Sequence, residues 1–232
     1  MNAEIPEEDC TLVIPAYNEE ERIENLLIEC LDFHGEVIVV IDGSDRTGDV
    51  VASFKEEHPG TGIIALYSET RLGKGGGIAM GMKSASRSYI GYLDADGAAG
   101  ISEMKKLFAR LDRYDGVIGS RWVEGAHLPT PQSMTRKIQS RIFNIIIHIL
   151  FGISFLDTQC GAKAFRREVI EDVLDTIRAT GFEFDVELIW KAEKAGFTIL
   201  EQPIVWSDKG GSTVRIPDTL AMLVGLLKIR FS

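Results

Sequence analysis

The chain has few of the features that would take it outside the ordinary globular class. Three cysteines in 232 residues, Cys10, Cys30 and Cys160, show no C-x-x-C spacing. That excludes a thiolate zinc site and a disulfide framework, and it points to buried thiols in a reducing compartment. No apolar run reaches the roughly 18 to 20 residues that a spanning helix needs. The longest, residues 142–156, is broken by Asn144, His148, Gly152 and Ser154. The first nine residues are polar and acidic and lack the basic and apolar regions of a signal peptide, so export is not expected. Positive charge is in deficit, 25 basic against 35 acidic residues for a net charge of −10. A general nucleic-acid binder is therefore not expected, and an anionic ligand has to be held by local groups. Without a linker-like segment, repeat or low-complexity stretch, the sequence reads as one domain over residues 1–232.

What is present is an alternation of apolar β-branched runs with helical periods. Residues 11–14, 37–41, 62–67 and 89–93 read as buried strands, and 116–119 as a further short one. Between them, Asn18 with Glu21 at the third position predicts a helix cap ahead of the stripe Ile23, Leu26, Leu27 and Cys30. Met104, Leu107, Phe108 and Leu111 repeat that spacing. This order implies an α/β fold with right-handed crossovers and a mostly parallel central sheet flanked by helices.

Each strand is followed at once by a polar cluster. These are residues 15–19 (Pro-Ala-Tyr-Asn-Glu), 42–45 (Asp-Gly-Ser-Asp), 71–77 (Arg-Leu-Gly-Lys-Gly-Gly-Gly) and 94–96 (Asp-Ala-Asp). Parallel strands share one carboxyl edge, so the clusters meet where open α/β sheets bind ligands. Asp94 and Asp96 leave a strand two residues apart, which places both carboxylates on one side and Ala95 on the other. Two hard anionic oxygens suit Mg²⁺ or Mn²⁺, ions usually shared with substrate phosphates. The glycine-rich turn is neither a Walker A loop, since Gly follows Lys74, nor a dinucleotide fingerprint, which fails at Ile78. Its glycines, beside a helix expected over 78–86 and next to Lys74, suit a phosphate.

In this order, these motifs resemble family 2 glycosyltransferases with the GT-A nucleotide-diphospho-sugar transferase fold. The resemblance continues through Gly-Ser-Arg at 119–121, Asp-Thr-Gln-Cys-Gly at 157–161, Phe-Glu-Phe-Asp-Val-Glu-Leu at 182–188 and Gly-Gly-Ser at 210–212. Within the family the chain is most similar to synthases that load a sugar onto dolichyl or another polyprenyl phosphate. Residues 157–161 are more similar to the glucose-loading than the mannose-loading branch.

The resemblance implies a nucleotide-binding half over about 10–121 and an acceptor- and membrane-facing half over about 122–232, ending in amphipathic helices. It implies that Pro15, Tyr17 and Glu19 line the base and ribose pocket, with Asp42 on the base and Lys74 near the nucleotide. Asp94 and Asp96 would hold the nucleotide and a Mg²⁺ or Mn²⁺ ion, with Arg121 and Arg136 at the phosphates. Thr213 stands where relatives often carry Lys, leaving Arg215 as a substitute charge. Asp96 and Asp185 are the implied catalytic residues.

Asp185 would act as a general base for a hydroxyl acceptor or orient sugar hydroxyls; orientation is favoured, because a phosphate monoester, with a second pKa of about 6, needs no base. An extended backbone would put Asp185 and Glu187 on one side, and a helix would separate them by about 200°. For Glu187 alone the plain reading is a solvated helix face. His34, His58, His127 and His148 fall in no motif.

No Asp or Glu occurs from 125 to 156, and Arg136, Lys137 and Arg141 precede an apolar helical run. Such a segment suits the bilayer interface, a core position or a homodimer contact. Leu220, Leu223, Val224, Leu227 and Phe231 form a second amphipathic stretch. The expected activity is inverting, metal-dependent transfer of a hexose to dolichyl or polyprenyl phosphate at the cytoplasmic membrane face, from UDP-glucose or, next, GDP-mannose. The alternatives are transfer to a soluble hydroxyl acceptor and a non-catalytic nucleotide-sugar-binding module. A nucleotidyltransferase lacks support, since no early Gly-x-Gly-Thr-Arg loop occurs.

Overall fold

Extended β-branched segments pair first with their sequence neighbours. β1 (Cys10–Ala16) runs parallel to β2 (Glu36–Ile41), which runs parallel to β3 (Ile63–Tyr67), and β4 (Tyr89–Leu93) joins the other side of β1, again parallel. The computed structural model describes residues 5–129, 134–207, 209 and 216–231, with only the backbone of 134–140 and 216–221. Among the described residues, β5 (Gly116–Ser120), β6 (Ala162–Arg166) and β7 (Ile199–Pro203) complete a seven-stranded sheet of order β3-β2-β1-β4-β6-β5-β7. β6 is antiparallel to both β4 and β5, and β5 is parallel to β7. The sheet is thus mixed and mostly parallel, flanked by helices.

Alternation along the strands feeds two cores. Leu12, Ile14, Val37, Val39 and Ile41 face α1 (Ile23–Cys30), α2 (Thr47–Glu57) and α4 (Ile101–Ala109). Val13, Ile38, Val40 and Tyr92 face α3 (Gly73–Ser84), α6 (Arg167–Val173) and α7 (Phe184–Lys194). Coverage of both faces matches the continuous apolar strands. A third cluster lies outside the sheet: Phe143, Ile147 and Phe151 of α5 (Met134–Phe151) pack with Met222 and Leu226 of α8 (Ile216–Phe231) and with Val186.

Four local expectations need correction. α1 starts at Ile23 rather than directly after Asn18; Asn18 instead takes a left-handed φ of 55°, and its Oδ1 accepts from the N–H groups of Ser44 (3.0 Å) and Asp45 (3.3 Å). Asn tolerates that backbone, and its short amide competes for loop donors better than it caps. β3 lies at the sheet edge and is only partly buried, because among the described residues nothing pairs beyond it. α3 begins at Gly73, so the glycine-rich turn is the first turn of the helix and not a loop before it. Residues 185–187 are helical, and Glu187 is buried rather than solvated.

Candidate functional site

The parallel strands β1, β2 and β4 deliver their following residues to one rim. Cross-loop hydrogen bonds tie the rim together: the Glu19 N–H donates to Thr47 Oγ1 (2.8 Å) and the Glu20 N–H to Asp45 Oδ2 (3.1 Å). Pro15 is half-buried within β1, and Tyr17 is 39% exposed with the Arg71 guanidinium 3.3 Å above its ring centroid. That cation–π contact fixes an aromatic face at the mouth of the site. Asp42 Oδ2 accepts from the N–H groups of Leu72 (2.8 Å) and Gly73 (3.1 Å), so it acts as an anionic cap on α3.

The glycines of α3 have a different cause from the one their sequence suggests. A Cβ on Gly75 would meet Phe184 Cβ at 2.4 Å, and one on Gly81 would meet Val13 Cγ1 at 2.3 Å. They let the helix lie close on β1 and on the start of α7. The Gly76 N–H donates to Thr180 O (3.1 Å). Two of the donors read as a phosphate cradle, those of Gly73 and Gly76, are therefore engaged by Asp42 and Thr180, and beside Asp94 this turn presents the ammonium of Lys74.

Asp94 and Asp96 sit in the turn directly after β4, with Ala95 buried in the opposite core. The Asp94 N–H donates to Gly161 O (3.0 Å), and Asp96 Oδ1 accepts from the Ala98 N–H (2.9 Å). Burial and then the Asp94 charge raise the Asp96 pKa; Glu19 is also raised, by burial first, with Asp96 and Asp94 adding to it against the pull of Arg22. Like charges crowd here.

The described residues contain no group of three or more His, Cys, Asp or Glu in ligating positions. The donor set is thus a carboxylate pair with its charge partly uncompensated. It fits Mg²⁺ or Mn²⁺, which take one or two protein carboxylates and complete their shell with water and phosphate oxygens.

Lys74 links this rim to a buried polar centre. Its Nζ lies 2.8 Å from Asp94 Oδ1, 3.1 Å from Asp94 Oδ2 and 3.2 Å from Asp185 Oδ2. Asp185, in the first turn of α7, is 1% exposed, and its Oδ1 also accepts from Lys163 Nζ and Tyr92 Oη. Burial alone would raise the Asp185 pKa, but Lys163 and then Lys74 hold it below the ordinary carboxylate value. The Tyr92 phenol is pushed well above its usual range by burial and by Asp185. Glu187 points elsewhere: Oε2 accepts from the N–H groups of Arg178 (3.0 Å) and Ala179 (2.8 Å), and Oε1 pairs with Lys191 at 2.7 Å.

Arg121 donates from Nε (2.7 Å) and Nη2 (2.8 Å) to Asp157, a bidentate pair that secures residues 157–161 beneath the rim. Gly161 is needed there, because a Cβ would stand 1.9 Å from Asp94 Oδ2. The side chain of Arg136 and residues 210–215, including Thr213 and Arg215, lie outside the described residues. Sequence reasoning missed Lys163 and Tyr92. The available signal was a lysine inside the apolar run Ala162–Arg166, a position that demands a buried counter-charge.

Residues 11–174 match the model of "Glycosyl transferase family 2". The chain is 34% identical over 230 residues to the dolichyl-phosphate beta-glucosyltransferase of Drosophila melanogaster, covering 89% of this chain and 69% of that one. It is 30% identical to the enzyme of the same name from Saccharomyces cerevisiae, covering 96% and 74%. Among solved structures it is similar to mannosyl-3-phosphoglycerate synthase from Rubrobacter xylanophilus (TM-score 0.68, 14% identity, 96% of this chain and 73% of that one). It also resembles the mannosyltransferase PcManGT of Pyrobaculum calidifontis in complex with GDP-Man and Mn²⁺ (TM-score 0.59, 19% identity, 96% and 63%). With motif order, fold and rim chemistry in agreement, the chain belongs to glycosyl transferase family 2 and is a glycosyltransferase.

Proposed function

We propose that this glycosyltransferase moves glucose from UDP-glucose, with GDP-mannose the next donor, to dolichyl or another polyprenyl phosphate, inverting the anomeric centre. The observation that carries the reading is the placement of Asp94, Asp96 and Lys74 together at the carboxyl edge, in a chain whose relatives include dolichyl-phosphate beta-glucosyltransferases. Tyr17 offers a stacking face for the base. Asp94 and Asp96 hold the cation, and the chemistry supplied there by Mg²⁺ or Mn²⁺ is Lewis-acid neutralisation of the leaving diphosphate, worth several kcal/mol. Lys74 adds a second positive charge beside it.

The environment of Asp185 supports a phosphate acceptor. A general base works best with a pKa near the operating pH, whereas Asp185 is held low, engaged by two ammonium groups and a phenol. An acceptor that arrives as a phosphate oxyanion needs no such base. Asp185 then keeps the Lys74 ammonium close to the rim.

The acceptor's lipid calls for an apolar surface. α5 exposes Ile142 (54%), Ile145 (59%) and Ile149 (74%), and α8 exposes Val224 (51%) and Phe231 (77%), while Phe143, Ile147, Met222 and Leu226 stay in the core. Arg141, Lys228 and Arg230 are exposed alongside. An apolar face edged by basic groups suits an anionic bilayer interface. The contact in this reading is peripheral, at the cytoplasmic face of a membrane; among the described residues, no helix is long and apolar enough to cross one.

The test is incubation of the purified chain with radiolabelled UDP-glucose or GDP-mannose, Mn²⁺ and dolichyl phosphate in anionic vesicles. A glucosylated lipid is expected, with more product than from GDP-mannose. Labelled soluble product without a lipid product would replace this reading with the hydroxyl-acceptor one.

A further inference from the structure

Lys74 stands where a metal-binding carboxylate would otherwise be free. Its ammonium contacts both oxygens of Asp94, at 2.8 and 3.1 Å, so a divalent cation at Asp94 must share those oxygens with a positive charge already in place. We propose that Lys74 competes with the divalent cation for Asp94, and that the donor's diphosphate relieves the competition by taking the ammonium as its own counter-ion. Cation binding is thereby conditional on nucleotide. This inference rests on the donor and cation proposed above and adds how the two are coupled.

Three features of the chain favour an exchange over a fixed ion pair. The Lys74 side chain is 12% exposed, at the boundary between rim and interior, and its flexible stem carries three rotatable donors. Releasing Asp94 does not leave Lys74 without a partner, since Asp185 Oδ2 is 3.2 Å away. Nor does movement of Lys74 leave Asp185 as an uncompensated buried charge, because Lys163 and Tyr92 hold its other oxygen from positions that are 0% exposed. Lys163 and Tyr92 are cross-strand partners on β6 and β4, so that half of the centre is built into the sheet.

The helix itself leaves the ammonium as the group to be exchanged. The N–H groups of Leu72 and Gly73 are engaged by Asp42, and that of Gly76 by Thr180 O. A diphosphate arriving beside Asp94 meets the Lys74 ammonium there, because Nζ already lies on both Asp94 oxygens. Once the ammonium has moved, Asp94 presents both oxygens to the cation.

The experiment uses the full chain at fixed pH, reading free Mn²⁺ by electron paramagnetic resonance and UDP binding by calorimetry. Lys74→Gln should bind Mn²⁺ alone about tenfold more tightly than wild type, a coupling of ordinary size. It should bind UDP in the presence of EDTA about tenfold more weakly, and UDP should enhance Mn²⁺ binding less than it does in wild type. Lys74→Arg, which keeps the charge, should bind Mn²⁺ alone no more tightly than wild type.

An unchanged or weaker affinity of folded Lys74→Gln for Mn²⁺ alone, with wild type binding Mn²⁺ in the presence of UDP, overturns the exchange and spares the proposed function. Failure of wild type to bind Mn²⁺ even with UDP overturns both. Should Lys74→Gln not fold, lysine side-chain NMR of wild type decides, with the signal assigned through Lys74→Arg. UDP added in EDTA should move the Lys74 resonance, and an unmoved resonance overturns the exchange.

Discussion

Asp94 and Asp96 follow β4, and Asp185 and Glu187 open α7; each pair is separated by one residue, yet the backbone gives them opposite environments. After β4 the extended approach keeps both carboxylates at the rim, Asp94 with 34% of its side chain exposed, and their mutual repulsion is left partly unrelieved. On α7 the helical turn parts the second pair. Asp185 joins Lys163, Lys74 and Tyr92, while Glu187 reaches back to the backbone of Arg178 and Ala179. Every charge in the second pair is answered within the protein. The rim pair keeps negative charge in excess of the Lys74 ammonium that contacts Asp94, whereas the pair on α7 is saturated. Spacing alone does not separate the two cases; the dihedral state does.

The largest effect separating the pairs is expected at Asp94. Asp94→Ala should lower lipid-linked sugar formation about 10³-fold, roughly 4 kcal/mol of transition-state stabilisation, with the thermal midpoint close to wild type because the residue is half-buried. Glucosyl transfer assays and a thermal melt check it. A large fall in melting temperature with retained transfer would place Asp94 among the saturated residues.

Lys163→Met probes the other pair and should act on stability first. Removing one partner of a buried ion pair typically costs about 3–5 kcal/mol, and the presence of Lys74 and Tyr92 places the expected loss near about 3 in chemical denaturation. The pH dependence has a definite sign. Asp185 has a depressed folded pKa, so its contribution is present above the unfolded value of about 3.9 and is lost as pH falls through the folded one. Without Lys163 the depression shrinks, so the part of the acid limb due to Asp185 should be smaller and should end at higher pH.

The rim was legible because its signal is local and repeated. Strand period, followed at once by acidic or glycine-rich residues, put residues 15–19, 42–45 and 94–96 at one edge, where the structure has them. The buried centre was hidden for a physical reason: Lys163, Tyr92 and Asp185 are far apart in sequence and meet only because β6 inserts antiparallel beside β4 and α7 covers that register. β6 and β7 themselves carry weak signals. One contains a lysine, and the other is partly buried at every position. The glycines of α3 misled because close helix–sheet approach and phosphate binding call for the same residue.

Gly161 ties the comparison together, since it is the residue that makes room for Asp94. A Cβ there collides with the far end of the Asp94 side chain and not with backbone, so the carboxylate can yield while the fold holds. Gly161→Ala should lower kcat/KM about 10²-fold, the usual effect of an ångström-scale misplacement. The melting temperature should change little. A variant that melts early while its surviving fraction works normally would show the glycine to be needed for folding alone.

The smallest expected effect on stability runs against intuition. Asp96 has its pKa raised, by burial first and by Asp94 next, so ionising it disfavours the folded state. Its contribution is most favourable below the unfolded pKa and is lost as pH rises through the folded one, so at neutral pH the native protein bears the full repulsion. Asp96→Asn removes that charge while keeping the acceptor oxygen for the Ala98 N–H. The variant should therefore be more stable than wild type at pH 7, by about 1 kcal/mol or less, with the gain shrinking toward pH 4 while transfer activity collapses. Urea titrations of both proteins at the two pH values measure this directly. A destabilised Asp96→Asn would mean that the protein already compensates this carboxylate, which would place it with the saturated pair on α7 and not at a cation site.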